Sequence, residues 1–280
     1  MKADNLYTGT NFDLNGKVAI VTGGCGLLGK EFSKALISAG ANVIIGDIDQ
    51  NQLTKTKDLI YKQFNHSNIS SMLLDITNEE SIENFVSDIE KEYGKIDILV
   101  NSAAIDPKFE KGSKLSEFTR FENFPLTAWN ESININLTGT FQITQAVCAI
   151  MNNAGKGSII NIGSNYGIVG PDQRIYKQKN EKNQSYKPIV YSVCKAALIG
   201  FTKYLATYYA GSEIRVNMLT PAGVLNNHDE EFIEKYSANT ILGRMSEKNE
   251  YWGSIIYLAS DASSYMTGSN LIVDGGWTSL

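Results

Sequence analysis

The chain contains six short runs of mainly apolar, largely β-branched residues, in which the polar residues are Asp97, Asn161, Arg215 and Asn217. They are residues 18–21, 43–45, 96–100, 159–162, 214–219 and 271–273. Strands that are apolar on both faces are typical of a parallel sheet covered by helices, because neither face of such a sheet meets water. Longer stretches with helical spacing separate the runs, which indicates βαβ units wound right-handedly into one sheet. We therefore predict an α/β fold, a doubly wound parallel sheet with helices on both faces.

The length and charge of the chain argue against several classes of protein. A length of 280 residues with 42% hydrophobic side chains fits a single α/β domain, which we place over residues 14–280, after an N-terminal arm of residues 1–13. A net charge of −5 would repel a phosphate backbone, and no run approaches the roughly 20 apolar residues of a membrane span. Residues 1–14 lack the apolar segment of a secretory signal. We expect a cytoplasmic protein that binds neither nucleic acid nor a membrane.

The cysteines and histidines are too scattered to predict a disulfide framework or a metal site. Cys25, Cys148 and Cys194 lie far apart with no Cys-x-x-Cys spacing. His66 and His228 stand in polar stretches without nearby cysteine or paired carboxylate ligands. We predict no bound metal, small packed thiols and solvated loop histidines.

A glycine-rich turn follows the first run and opens a helical stretch. Gly23, Gly26 and Gly29 permit a tight turn and a close approach of a ligand, and the helix N-terminus offers unpaired N–H groups to an anion. Asp47 ends the second run 18 positions after Gly29, close to the spacing at which an acid binds the adenosine ribose of a dinucleotide. A carboxylate there repels a 2′-phosphate, and the neighbouring Ile48 adds no cation. The pattern predicts NAD(H) rather than NADP(H).

From about residue 14 to its end, the chain resembles the short-chain dehydrogenase/reductase family in its classical length. The motifs that carry the similarity are the glycine turn, Asp75-Ile76-Thr77, Asn101-Ser102-Ala103-Ala104, Asn136-Leu137-Thr138-Gly139, Ser164, Tyr191-x-x-x-Lys195, Arg215-Val216-Asn217 with Pro221, and Val273-Asp274-Gly275-Gly276. The resemblance implies a single-domain Rossmann-like sheet, with a cofactor half over about 14–135 and a catalytic and substrate half over about 136–280. It also implies a homodimer or homotetramer built through helices.

The resemblance assigns roles to individual residues. Tyr191 is the expected acid/base, Lys195 its activating cation, Ser164 the partner of the substrate oxygen, and Asn136 the holder of a water that links the lysine to solvent. The expected cofactor contacts are Gly23, Cys25, Gly26, Leu27, Leu28, Asp47, Ile48, Asp75, Ile76, Asn101, Ala103, Tyr191, Lys195, Pro221, Gly223 and Val224. Together they imply NAD as the cofactor and an oxidoreductase that interconverts a secondary alcohol and a ketone.

The spacing of Tyr191 and Lys195 supports the same chemistry on physical grounds. Residues four apart on a helix share one face, so the ammonium lies near the phenol. Lowering a phenol pKa by about 3 units requires roughly 4 kcal/mol. A cation about 4 Å away, at an effective dielectric near 20, supplies about that much. The residues do not encode the direction of the reaction.

Several departures from the family pattern leave other functions open. The glycine spacing is closer to that of the extended branch, which includes epimerases and dehydratases that recycle NAD. Pro221-Ala222 replaces a Pro-Gly step, and Asn226 stands where threonine is common. An epimerase or dehydratase and a 3-oxoacyl thioester reductase therefore remain alternatives to the dehydrogenase. A non-catalytic NAD-sensing protein is disfavoured, because it has little need of the whole catalytic set.

A polar segment of residues 167–189 lengthens the gap between Ser164 and Tyr191 to 27 positions, about twice the usual gap. It carries the cations Arg174, Lys177, Lys179, Lys182 and Lys187. One interpretation is a basic lid over the catalytic pocket, suited to a sugar, a sugar acid or another polar hydroxylated substrate. The other is a solvated loop without substrate contact, the usual fate of a run of charges.

Overall fold

The computed structural model describes residues 9–64, 68–106, 118–177 and 184–280, and in it seven parallel strands form one sheet in the order β3-β2-β1-β4-β5-β6-β7. The strands are β1 Val18–Thr22, β2 Asn42–Asp47, β3 Ile69–Leu73, β4 Ile98–Asn101, β5 Lys156–Ile162, β6 Glu213–Pro221 and β7 Asn270–Val273. The predicted doubly wound α/β sheet is confirmed. The strand order reverses between β1 and β4, so a crevice opens at the carboxyl ends of these two strands, where such sheets bind ligands.

Helices cover both faces of the sheet. They are α1 Leu27–Ser38, α2 Gln50–Phe64, α3 Glu79–Tyr93, α4 Leu126–Ile133, α5 Thr140–Ala154, α6 Ile189–Tyr208, α7 Glu230–Ser237 and α8 Trp252–Ala259. On one face, Phe32 and Leu36 of α1 pack with Leu258 of α8. On the other, Phe85 of α3 packs with Val147 of α5. The sheet is therefore buried on both sides, as its apolar runs require.

The edge strand β3 is absent from the six runs read in the sequence. Its residues are Ile-Ser-Ser-Met-Leu, and it pairs with β2 alone. Because an edge strand is only partly covered, it tolerates the polar Ser70 and Ser71, and Leu73 is 54% exposed. Its pattern therefore lacks the continuous apolar run that marks the central strands.

A network of buried amides and hydroxyls joins the middle of the sheet to the helices beside it. Asn101 Nδ2, at the end of β4, donates to Asn161 Oδ1 of β5 at 2.8 Å and to Thr144 Oγ1 of α5 at 2.8 Å. Asn161 Nδ2 in turn donates to Thr202 Oγ1 of α6 at 2.9 Å. All four side chains are buried. We call this network the amide ladder.

Helix α6 is long and apolar enough to cross a membrane by length and composition, with a mean hydropathy of 1.3. It packs on β6, on α4 and on the short turn Asn165–Gly167. Its Lys195 is buried and donates through Nζ to the Ile162 carbonyl at 2.8 Å. A helix that covers a sheet has a similar composition, so α6 fits its place in this fold.

Candidate active site

A cavity of about 390 Å³ opens at the carboxyl ends of β1, β4, β5 and β6. Of the residues predicted for the site, it is lined by Gly26, Leu27, Leu28, Ser164, Tyr191, Lys195, Pro221, Gly223 and Val224. Those outside its lining are Gly23, Cys25, Asp47, Ile48, Asp75, Ile76, Asn101, Ala103 and Asn136. The structure therefore brings the glycine turn and three of the four predicted catalytic side chains to one cavity.

The glycine turn can take its shape only without side chains. Gly23 has φ +61°, and a Cβ there would lie 2.6 Å from the Cα of Ala103. A Cβ on Gly29 would lie 2.2 Å from the carbonyl oxygen of Gly23, and the Gly26 N–H donates to that oxygen at 2.9 Å. The turn leads directly into α1, whose N-cap residue Gly26 has no capping side chain. The first-turn N–H groups are therefore left for a ligand, which fits the pyrophosphate of a dinucleotide.

Asp47 lies beside this turn and is held there by the backbone. Its Oδ2 accepts from the Cys25 N–H at 3.0 Å, and its Oδ1 accepts from the Asp49 N–H at 3.2 Å. Ile48 is 68% exposed at the edge of the turn. Burial raises the pKa of the Cys25 thiol to about 11, which keeps it protonated near neutral pH. The donor and acceptor arrangement fits an adenosine ribose bound next to Asp47.

The remaining predicted cofactor residues lie around the cavity without lining it. Asp75 Oδ1 accepts from the main chain and the hydroxyl of Thr77, at 2.9 and 2.6 Å. Ile76 packs closely on Gly139, because a Cβ built on Gly139 would lie only 2.8 Å from the Cγ1 of Ile76. Ala103 packs on the glycine turn, and the Asn101 side chain points into the amide ladder. Only the Asn101 Nδ2 is engaged there, and its Oδ1 is buried without a hydrogen-bond partner among the described residues.

Ser164, Tyr191 and Lys195 meet inside the cavity. Burial, followed by the negative charge of Asp106, raises the pKa of Tyr191, whereas a hydrogen bond with Ser164 lowers it. Burial lowers the pKa of Lys195 to about 8, and repulsion from Lys187 acts in the same direction. The phenol thus needs nearby positive charge before it can act as a base at neutral pH.

Asn136, the residue predicted to hold a water, lies outside the lining of the cavity. It stands in the π-helical segment Asn134–Gly139 between α4 and α5. Its Oδ1 accepts from the Ile105 N–H at 2.8 Å, and its Nδ2 donates to the Ile105 carbonyl at 2.9 Å. Both polar groups are therefore engaged in clamping the loop after β4, and the role in proton relay stays a prediction.

Two charged residues next to Tyr191 received no catalytic role from the sequence. Lys187 Nζ lies 4.2 Å from the centroid of the Tyr191 ring, and the same Nζ forms an ion pair with the Asp106 carboxylate. The side chain of Lys187 is 13% exposed. The sequence marked Lys187 as one cation of a possible basic lid, but it gave no sign of the partner, because the pairing with Asp106 is a contact over 81 positions.

The long polar segment forms part of the cavity wall. Tyr176 and Lys187 line the cavity, whereas the Arg174 side chain is 90% exposed and bonded to Asp172. Lys177 is exposed. Lys179 and Lys182 lie outside the described residues. Among the cations described in this segment, Lys187 is the one that reaches the cavity.

Three tyrosines that line the cavity, Tyr166, Tyr176 and Tyr236, form what we call the tyrosine wall. Tyr176 donates to the hydroxyl of Tyr166 at 3.2 Å, and the Tyr236 hydroxyl accepts from the Gly223 N–H at 2.5 Å and from Asn165 Nδ2 at 3.2 Å. Burial raises the pKa of all three phenols, that of Tyr236 to about 12. They therefore remain protonated at neutral pH and give the wall both polar and apolar surface.

His228 is exposed and lies in the loop before α7, as the sequence predicted. It also lines the cavity, and its ring stacks on Phe232 with centroids 5.0 Å apart. Its Nδ1 accepts from the Asn226 N–H at 3.2 Å. His66 lies outside the described residues. Within residues 9–64, 68–106, 118–177 and 184–280, no three His, Cys, Asp or Glu side chains come together as a metal site.

Comparison with known proteins identifies the family of this chain. A family model described as "Enoyl-(Acyl carrier protein) reductase" matches residues 27–278. A curated relative, the NAD-dependent glycerol dehydrogenase of Listeria innocua, is 31% identical over 96% of each chain. The crystal structure of a short-chain dehydrogenase from Leptospira borgpetersenii with bound NAD+ is 33% identical, with a TM-score of 0.83 over 99% of each chain.

A second solved structure is that of a gluconate 5-dehydrogenase from Burkholderia cenocepacia, in complex with NADP and tartrate. It is 27% identical, with a TM-score of 0.81 over 96% of this chain and 98% of that one. Both solved structures match the sheet and its covering helices over nearly their whole length. On the family model, the sequence relatives and the shared fold, the chain belongs to the short-chain dehydrogenase/reductase family of oxidoreductases.

Proposed function

We propose that this protein is an NAD(H)-dependent oxidoreductase that interconverts a secondary alcohol and a ketone on a polar hydroxylated substrate, such as a sugar or a sugar acid. The observation that carries the proposal is the meeting of Ser164, Tyr191 and Lys195 in one cavity beside the uncapped N-terminus of α1. These groups supply a hydrogen-bond donor, an acid/base and a cation at the place where a nicotinamide would lie.

In the proposed reaction, Tyr191 takes the proton of the substrate hydroxyl during oxidation and returns it during reduction. Ser164 donates to the substrate oxygen, where negative charge develops, and so stabilises the transition state. Lys195, fixed by its bond to the Ile162 carbonyl, provides positive charge beside the phenolate. The bound nicotinamide supplies the hydride acceptor or donor.

The cavity wall supports the polar substrate class. Its three tyrosines offer hydroxyls on aromatic faces, and the Asp106–Lys187 pair offers both a carboxylate and an ammonium. Such a mixture matches several hydroxyl groups better than an alkyl chain or a steroid. Similarity to a glycerol dehydrogenase and to a gluconate 5-dehydrogenase supports the same class.

A screen for NAD reduction over polyols, aldonates, sugar phosphates and hydroxyacyl thioesters tests the proposal. We expect the highest kcat/KM for a polyol or a sugar-derived substrate. If only the thioesters turned over, the protein would be an acyl-chain reductase. Copurified cofactor without net NADH production would indicate an epimerase or dehydratase, and binding of NAD without any turnover would indicate a sensor.

The cofactor preference gives a separate prediction. Asp47→Asn combined with Ile48→Arg removes the negative charge and adds a phosphate partner, while the amide oxygen can still accept from the Cys25 N–H that fixes the turn. A charge-assisted hydrogen bond contributes about 1.5–3 kcal/mol. We therefore expect the ratio of kcat/KM with NADP to that with NAD to rise roughly ten- to hundredfold.

The control for this experiment is Ile48→Gln, which changes the same exposed position without adding charge. It should leave the ratio within about twofold, because a neutral amide attracts a 2′-phosphate weakly. A wild-type enzyme that already preferred NADP would contradict the assignment of Asp47 to the ribose.

We also propose that the protein is cytoplasmic and self-associates through α6 and the helices next to it. Val193, Tyr204 and Tyr208 of α6 are 38%, 65% and 67% exposed, as is 47% of Phe141 at the start of α5. Tyr204 and Tyr208 stack with centroids 6.3 Å apart. Exposed apolar surface of this kind is typical of a subunit interface. Light scattering at several concentrations should give the mass of a dimer or tetramer, and that of a monomer would contradict the proposal.

A further inference from the structure

Lys187 occupies a fixed place above the catalytic tyrosine. Its main-chain N–H donates to Gln173 Oε1 at 2.9 Å, and Gln173 Nε2 donates to its carbonyl at 3.4 Å. Pro188 follows immediately and forms the N-cap of α6, where a proline ring limits backbone freedom. The side chain is almost fully covered. Lys187 is therefore held by the Gln173 side chain, by Pro188 and by its ion pair with Asp106, unlike a surface lysine.

The distances give Lys187 a direct electrostatic relation to Tyr191. Its Nζ is 4.2 Å from the ring centroid, whereas Lys195 Nζ is 5.8 Å away. A cation over an aromatic face is attracted to the ring, and the attraction grows when the ring carries the charge of a phenolate. Asp106 has the opposite effect, because its negative charge raises the pKa of Tyr191.

We propose that the Asp106–Lys187 ion pair sets the acidity of Tyr191. Lys187 is a positioning residue whose positive charge stabilises the phenolate. Asp106 holds Lys187 in place, and its negative charge opposes formation of the phenolate. The proposal rests on the assignment of Tyr191 as the acid/base. It gives the long polar segment a function, since the segment carries a second cation to a site where the family motif provides one. The two charges act with opposite signs on one group.

Other titratable groups surround Tyr191 and belong to the same balance. Lys195 faces it from α6, and the hydroxyls of the tyrosine wall face it from the segments after β5 and from α7. Loss of Lys187 also relieves its repulsion of Lys195, so the pKa of Lys195 would rise at the same time. The groups are Lys187, Lys195, Asp106, Tyr166, Tyr176, Tyr236 and His228.

The first test is the pH dependence of kcat/KM for alcohol oxidation. Lys187→Gln removes a charge opposite to that of the phenolate and should move the apparent pKa of the rising limb upward by about one unit. Asp106→Asn removes a charge of the same sign and should move this pKa downward. A nearby charge shifts a pKa by about 1–3 units. Lys187→Arg should restore the wild-type midpoint to within about 0.3 units. Lys177→Gln removes an exposed cation of the same segment and should leave the midpoint unchanged.

A second measurement needs no substrate. Near-ultraviolet absorption follows phenolate formation, and the difference between the wild type and Tyr191→Phe isolates the ionisation of Tyr191 from the other tyrosines. The same difference, taken in the Lys187→Gln and Asp106→Asn backgrounds, should show the same two opposite shifts. This absorbance difference reports only phenolate, so it separates the ionisation of Tyr191 from that of Lys195.

Opposite shifts in both measurements would support the proposal. Unmoved midpoints would overturn it, and so would shifts of the same sign, which indicate a general disturbance of the site. A uniform rise in KM at every pH for Lys187→Gln, with the midpoint unchanged, would make Lys187 a substrate-binding residue instead. Failure of the proposed function is distinguishable, because a protein that oxidises no alcohol still yields the phenolate titration.

Discussion

Replacing Tyr191 by Phe should lower kcat by about a thousandfold and leave the Kd for NADH within about twofold. The hydroxyl is the proposed site of proton transfer, and general acid/base catalysis contributes about 10²–10⁴-fold. The phenyl ring keeps the volume of the side chain and its face beneath Lys187, so the cavity should retain its shape. Steady-state kinetics on the substrate found by the screen and a fluorescence titration with NADH measure the two quantities.

Tyr176→Phe is the matched control for this variant. It removes one hydroxyl from the same cavity, together with the hydrogen bond to Tyr166, but no proposed proton transfer. We expect kcat to fall by less than about tenfold, the equivalent of one neutral hydrogen bond. Retention of a tenth of the wild-type rate by Tyr191→Phe would show that another group transfers the proton.

The second large effect concerns the backbone of the glycine turn. Gly29→Ala places a methyl group 2.2 Å from the carbonyl oxygen of Gly23 and 3.0 Å from the Cα of Gly24. Backbone atoms at such distances cannot give way without displacing the turn. Overpacking of this kind costs about 1–3 kcal/mol, which corresponds to a fall in Tm of about 2–10 °C in a chain of this size. NADH affinity should fall at least about tenfold, because the displaced N–H groups are those assigned to the pyrophosphate.

Gly253→Ala is a suitable control, because it makes the same substitution in another helix. Gly253 lies in α8, and a Cβ there has no neighbour within 4 Å. Alanine is a better helix former than glycine by about 0.5–1 kcal/mol, so this variant should be as stable as the wild type or more stable, with unchanged NADH affinity. Calorimetry and NADH titration of both variants test the difference. Equal behaviour of the two would mean that the turn tolerates a side chain.

The central part of the fold was predictable from sequence, because its strands are buried on both faces and so carry continuous apolar runs. The edge strand β3 was not, since Ser70 and Ser71 reflect its partial exposure. The glycine turn, Asp47 and the Tyr191–Lys195 pair were predictable for a different reason. Their proposed functions depend on short spacings along the chain, which the sequence displays directly.

The rest of the site depends on contacts that no local pattern reveals. Along the chain, Asp106 precedes α4 and Lys187 follows α5. Each residue alone looks like an ordinary charged loop residue. The Asn136 amide, in a π-helical segment, is engaged by Ile105 in the loop after β4, 31 positions earlier in the chain. Likewise, Asn101 belongs to a family motif, yet its side chain is fixed by Thr144 and Asn161, which lie far along the chain.

The amide ladder also bears on how the sheet selects its strand register. Asn101 and Asn161 are direct partners in the pairing of β4 with β5. A slip of two residues would keep the same faces buried, so apolar patterning alone distinguishes it poorly from the native pairing. It would, however, separate Asn101 from Asn161 and leave the buried Asn161 Oδ1 without its donor, at a cost of about 1–3 kcal/mol. Incorrect pairing of β4 with β5 is therefore penalised at strand ends that border the cavity, which favours the native register of the strand that leads to Ser164.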